Sequence, residues 1–184
     1  RLANSEDFDL KPIVKSMHEK VFSQYTSNLE YDFIAEEKIL KAKGYDESLL
    51  DGALIDRTNW TVRPAGYVAI GGGNKNAIKK SFEVIPEMQG AMILSVDYDL
   101  VKTGIQMMGF GVAKVQARIV LKIMGKDGKK MFKVATTERS NNNLKFAMGG
   151  VFDTKEILPL VKEATDKAFL ELDKVIIRKN ERKK

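Results

Sequence analysis

Residues that could do chemistry are few, and they lie far apart. The clearest invitation is Gly71-Gly72-Gly73-Asn74-Lys75, which follows an apolar run at 67–70 and precedes a segment of helical spacing at 75–84. Backbone N–H groups at such a junction can cradle phosphate, with Lys75, Lys79 and Lys80 adding charge. The pattern departs from the G-x-x-x-x-G-K-[ST] loop: only Gly71 and Lys75 correspond, and the hydroxyl residue is missing. It departs from G-x-G-x-x-G as well, because Asn76 or Ala77 stands at the third glycine. The spacing therefore favours a flexible connection, with a nucleotide- or phosphate-binding protein or enzyme using 71–80 as the alternative. Acidic pairs occur at Glu36-Glu37, at Asp97 with Asp99, and in Glu6-Asp7-Asp9. General acid–base work needs a carboxylate withdrawn from water, so that its pKa rises. Asp97 and Asp99 are two apart on an expected strand and so share one face, read as the solvated one. Asp7 and Asp9 lack the glycine and distant glutamate of a calcium loop. The chain has no Cys and one histidine, His18. That composition excludes disulfides, thiolate zinc sites, a cysteine nucleophile and a His-rich metal site, and it argues against a Ser-His-Asp triad. No catalytic, cofactor-binding or metal-binding residue is expected, and no cofactor.

Association is the better-supported chemistry. In Met107-Met108-Gly109-Phe110-Gly111 three large apolar side chains stand among glycines just before a long strand pattern. Two readings are open: a bulge or core-facing strand start, and an exposed apolar tip for a partner or membrane surface. Trp60, in a polar stretch between Arg57 and Arg63, poses the same choice between a local clasp and a binding anchor. The candidate interaction patch is Met107, Met108, Phe110 and Trp60. A basic face on the following strand, Lys114, Arg118 and Lys122, continues through Lys129, Lys130 and Lys133. Together with the C-terminal tail it carries a nucleic-acid-binding alternative. Such surfaces interleave aromatic rings with cations, and here only Phe132 is nearby, turned elsewhere by alternation. Nucleic acid is therefore not the expected partner.

The elements that must position these groups follow from periodicity. Ile13, Met17, Val21 and Tyr25 recur every four residues and predict a helix over 12–25, with Asp9 as N-cap and Pro12 in the first turn. His18 lies at the edge of that stripe as a structural residue. Residues 31–34 favour a short strand, 36–42 one or two helical turns ending at Gly44, 48–55 a short helix, 67–70 a strand, and 75–84 a helix. Met92, Ile93, Leu94, Val96 and Tyr98 mark a strand over 91–100. From 112 to 124 the alternation is nearly unbroken: Ala113, Val115, Ala117, Ile119, Leu121 and Ile123 on one face, with Lys114, Gln116, Arg118 and Lys122 on the other. Lys126-Asp127-Gly128-Lys129 turns the chain back into a partner strand over 130–137. Asn141-Asn142-Asn143 and Gly149-Gly150 bracket a loop. Asp153-Thr154-Lys155-Glu156 then has the pattern of a capping box for the last helix. Ile157, Leu160, Val161, Ala164, Ala168, Leu172 and Ile176 give that helix a long apolar stripe, and Pro159 predicts a kinked or separate first turn.

The fold expected is one α/β (α+β) domain over 1–177, a single mixed, mostly antiparallel sheet with a long C-terminal hairpin and packed helices. A basic tail follows at 178–184. The 184 residues suffice to bury a full core. Lys and Arg number 31 against 25 Asp and Glu, a net charge of +6. Much of that excess lies in Arg178-Lys179-Asn180-Glu181-Arg182-Lys183-Lys184, read as a solvated helix end, so the remaining body is close to neutral. No apolar run approaches the ~18 residues a membrane span needs. The opening Arg1-Leu2-Ala3-Asn4-Ser5, without Met, reads as a processed product whose removed leader would fit export and a lipid-bearing Cys upstream.

The order of these elements resembles the envelope lipoproteins related to the curli-secretion lipoprotein, a group whose α/β fold is also similar to the amino-terminal domain of TolB. The resemblance covers roughly residues 8–177. It is carried by the 91–96 strand, the hairpin turn Lys126-Asp127-Gly128-Lys129, and a closing helix with spaced alanines, Ala164 and Ala168. It implies an exported, non-enzymatic protein of the periplasm or outer membrane that acts by binding or assembly. The partner would be a protein or a second copy, with contact to a membrane surface as a further possibility. It brings no catalytic residues.

Overall fold

The structure is a computed structural model and describes residues 11–29, 31–42, 54–56, 61–63, 79, 82–107, 110–147 and 152–182. Its elements are helices α1 (Lys11–Leu29) and α2 (Glu36–Leu40), and strands β1 (Leu54–Asp56), β2 (Thr61–Arg63), β3 (Gly90–Met107), β4 (Phe110–Gly125), β5 (Lys130–Arg139) and β6 (Leu144–Phe146). Helix α3 (Thr154–Glu181) closes the chain. The α+β class is as expected: helices accompany an antiparallel four-stranded sheet in the order β3-β4-β5, with β6 pairing β4. The chain divides into two compact units: residues 1–9, 95–120 and 134–184 form one, and 10–94 with 121–133 the other. Each long strand contributes residues to both.

In the first unit α3 supplies one wall of the core. Asp153 caps it, its side chain accepting from the Lys155 N–H at 2.9 Å, which satisfies one of the amide donors a helix start leaves open. The helix runs unbroken through Pro159, so the separate first turn expected from the sequence does not form. It also reaches Glu181, so residues 178–181 of the expected tail are its last turn, with Arg178 bound to Glu171 at 2.7 Å. Ile157, Leu160, Val161, Ala164, Ala168, Phe169, Leu172 and Ile176 are buried along it. Each large one contributes about 1.5–3 kcal/mol of burial. Residues 113, 115, 117 and 119 of β4 are buried in the same unit, as alternation requires.

Two polar contacts fix which sheet face the helix covers. Thr136 donates from Oγ1 to the Ala168 carbonyl at 3.0 Å. Thr165, itself buried, donates to the Val161 carbonyl at 2.7 Å and lies 2.7 Å from the Tyr98 hydroxyl. A hydroxyl has one proton, and the carbonyl can only accept, so Tyr98 must donate to Thr165. Burial is the main cause that pushes the Tyr98 phenol above its ordinary pKa.

In the second unit α1 extends the expected helix by a turn, and Leu29 joins Ile13, Val21 and Tyr25 as the next buried residue of the four-residue repeat. Residues 31–35 form no strand; the chain passes through them in an irregular path into α2. Leu54–Asp56, expected in part as helix, is a strand paired antiparallel with Thr61–Arg63, setting Ile55 opposite Val62. β-Branched residues at the paired positions favour strand over helix. Phe82 and Ala91 form a small buried cluster with Met88, Ile93 and Met124 packed against it. The β4–β5 turn closes as expected. Gly125 N–H donates to the Lys129 carbonyl at 2.8 Å, Gly128 takes φ +76°, and Asp127 accepts from the Lys129 N–H at 3.0 Å. That backbone bond is the main reason the Asp127 carboxyl is held below its usual range.

Candidate functional site

The edge of the sheet opposite β3 is broken, and the break shapes the site. Ser140 pairs with Val115 in the β5 register, while Leu144 pairs with Ala113 in the β6 register. The chain thus takes four residue steps, 140 to 144, to advance two along β4. The surplus is a bulge. Its polar sequence, Ser-Asn-Asn-Asn, suits a segment whose backbone bonds must be completed by side chains. Ser140 N–H donates to the Val115 carbonyl at 2.8 Å, but the Val115 N–H finds the Ser140 hydroxyl, at 3.1 Å, where a ladder carbonyl would stand. Ser140 Oγ passes its own proton to the Asn142 carbonyl at 2.8 Å.

Helix α3 holds the bulge from the other side. The Glu163 carboxylate accepts from Asn141 N–H at 2.8 Å, and from both the backbone N–H and side-chain Nδ2 of Asn142 at 3.5 Å. One helical turn on, Lys167 Nζ donates to the Arg139 carbonyl at 2.7 Å and to Asn141 Oδ1 at 2.9 Å. The spacing of four puts both on one helix face.

Beside the bulge lies an open groove of about 490 Å³, lined by residues including Lys114, Gln116, Thr137, Glu138, Arg139 and Lys167. Arg139 Nε donates to Gln116 Oε1 at 3.0 Å, which fixes the guanidinium plane and leaves its two terminal nitrogens to face outward contacts. Since Arg139 stands beside Gln116, Lys114 and Arg118 are its diagonal neighbours at the ~7–8 Å of an antiparallel pair. The basic face expected on β4 is therefore joined by a cation from β5. Arg118 is exposed, and Lys114 and Lys122 are half-buried, Lys122 belonging to the second unit. Tyr98 points to α3, so Asp97 and Asp99, both exposed, share the Lys114 face from the neighbouring strand β3.

The β3–β4 end carries the expected apolar residues. Met107 closes β3 and Phe110 opens β4 with its side chain 54% exposed. Gly104, three residues before Met107, takes φ +77°, a backbone conformation that explains a glycine there. Thr103 donates from Oγ1 to the Val112 carbonyl at 3.4 Å, close to this end. Met108, Trp60 and the 71–80 segment, apart from helical Lys79, lie outside the described residues, as does the expected strand at 67–70. Asn141, Glu163 and Lys167 were not singled out from sequence. The available signals were the run of three asparagines between two β-patterned stretches and the Glu–Lys pair at helical spacing.

A second concavity, of about 540 Å³, is lined in the other unit by residues including Ala35, Lys38, Lys41, Ile85 and Glu87. Lys38 and Glu87 form an exposed ion pair at 2.7 Å, and that bond chiefly holds the Glu87 carboxyl below its usual range. Among the described residues no group of three or more His, Cys, Asp and Glu side chains could hold a metal ion, and no helix is long and apolar enough to cross a membrane. No protein-family model matches the chain, and no curated protein matches it.

Proposed function

We propose that this chain is a non-enzymatic protein of the cell envelope that works by binding or assembly, engaging a protein partner or a second copy at the β3–β4 end. The observation that carries this is Phe110, an aromatic side chain left more than half in solvent at the start of β4 and flanked by Gly109 and Gly111. Burying its remaining exposed half on a partner is worth about 0.8–1.6 kcal/mol, and Met107 and Met108 are adjacent in sequence to add to it. The envelope compartment rests on the resemblance described above. The residues that carry that resemblance include Asp127 and Gly128 of the β4–β5 turn and Ala164 and Ala168, both wholly buried on α3.

The test is a triple substitution, Met107→Ser, Met108→Ser and Phe110→Ser, read by thermal melting and by sedimentation of the free protein and of protein with lipid vesicles. The expected result is a melting temperature nearly unchanged with weakened self-association or vesicle co-sedimentation. A large thermal loss with association unchanged would assign the cluster to the core and overturn the reading. Fractionation of cells that express the protein from its own gene tests the compartment; recovery with the cytosol would remove the envelope assignment.

A further inference from the structure

We infer that the groove beside the Ser140 bulge is a binding site for a compact dianionic oxyanion, a phosphate group or a small dicarboxylate. This goes beyond the association proposed above and rests on different residues. Three cations, Lys114, Arg139 and Lys167, line the groove against one carboxylate, Glu138. The Glu163 oxygens accept from the Asn141 and Asn142 amides and lie outside that lining, while the carboxylate keeps its charge one helical turn from Lys167.

The cations are positioned before any ligand arrives. Gln116 fixes the Arg139 guanidinium through Nε, so the terminal nitrogens present the planar fork that matches carboxylate or phosphate oxygens. Lys167 is held by two oxygen acceptors and keeps a third N–H. The Lys114 ammonium has no hydrogen bond or ion pair among the described residues. The residue is half-buried and lines the groove, so its ammonium is open to a ligand there. Thr137 adds a hydroxyl that can donate to the same oxygens, whereas the Thr103 hydroxyl is engaged with the Val112 carbonyl. Asp97 and Asp99 lie on the same sheet face but on β3, so they repel anions from that side and confine the favourable potential to the β4–β5 side. Among the lining side chains the excess is two positive charges, which favours a dianion over a monoanion.

The experiment is calorimetric titration of the full chain, at low ionic strength in a zwitterionic buffer, with inorganic phosphate, with succinate, and with acetate as the monoanion. Saturable binding of phosphate or of succinate is expected, with the arm that binds identifying the source of the oxyanion. It should weaken about tenfold or more in Arg139→Gln and in Lys114→Gln. Lys155→Gln removes the same charge from the exposed first turn of α3 and should leave affinity within about twofold. All three substitutions are at solvent-accessible positions, and unchanged melting temperatures would show that the variants fold. Absence of saturable binding in both dianion arms, acetate binding as tightly as the dianions, or equal weakening in all three variants would overturn the assignment.

Discussion

Replacing Ser140 by alanine isolates the contact that makes the bulge possible. Ser140 is 1% exposed, as is Val115, whose N–H depends on the Ser140 hydroxyl at 3.1 Å. Ser140→Ala keeps the backbone bond from residue 140 to the Val115 carbonyl, so the register itself is not attacked. The lost acceptor strands a backbone donor where water has no access, at a cost of about 1–3 kcal/mol. The second lost bond, to the Asn142 carbonyl, costs less, because Asn142 is exposed and water can replace the hydroxyl. The expected destabilisation is therefore about 2–3 kcal/mol. At roughly 2–4 °C per kcal/mol for a chain of this length, the melting temperature should fall by about 4–12 °C. Urea titration should show a lower midpoint with an unchanged slope, since the surface exposed on unfolding is the same. Amide exchange at Val115 should accelerate selectively. A loss below about 0.5 kcal/mol, or a Val115 amide as protected as before, would show that the Ser140 hydroxyl does not complete the ladder.

Tyr98→Phe should cost about 1 kcal/mol, read by urea unfolding, because Thr165 loses a donor but keeps its own bond to Val161. The same residue sets an alkaline limit: its folded pKa is raised, so the native state holds the proton longer than the unfolded chain. The stability it contributes is full below the unfolded tyrosine pKa and is lost as pH rises through the folded one, a loss absent in Tyr98→Phe. Gly128→Ala should destabilise by about 1 kcal/mol in a thermal melt because of its positive φ, and Gly128→Asn by less. Lys38→Ala should let the Glu87 carboxyl return toward its ordinary pKa in an NMR titration, with no measurable change in melting temperature for so exposed a pair.

The most legible parts of the fold were those where one face is buried and the other wet. The 112–124 alternation, the Asp-Gly turn and the closing stripe from Ile157 to Ile176 each reduce to a period and a boundary residue, and the structure has them where those patterns place them. The short segments were less legible. Residues 31–34 carry β-favouring side chains but no alternation, and they form no strand. Leu54–Asp56 becomes a strand only through its pairing with Thr61–Arg63, which a local pattern does not contain. β3 continues to Met107, beyond the expected end at 100, because pairing along β4 outweighs the weak local preference around Lys102 and Gly104.

The groove was the least legible of all, and the reason is register. Lys114 and Arg139 are 25 positions apart, and they become diagonal neighbours only because β5 folds back at 125–130 and places Arg139 beside Gln116. The two surplus residues that follow belong to no periodic pattern, yet they bring Asn141 within reach of both Glu163 and Lys167. The same folding changes the meaning of the basic strand. Read alone, Lys114, Arg118 and Lys122 suggest a surface for a polyanion. In the sheet, Asp97 and Asp99 occupy the same face one strand away. A long polyanion lying across β3 and β4 would meet both signs of charge, whereas a compact anion held between β4 and the Ser140 bulge meets chiefly the cations. Sheet order, more than residue count, is thus the ground on which we propose a small oxyanion for this face.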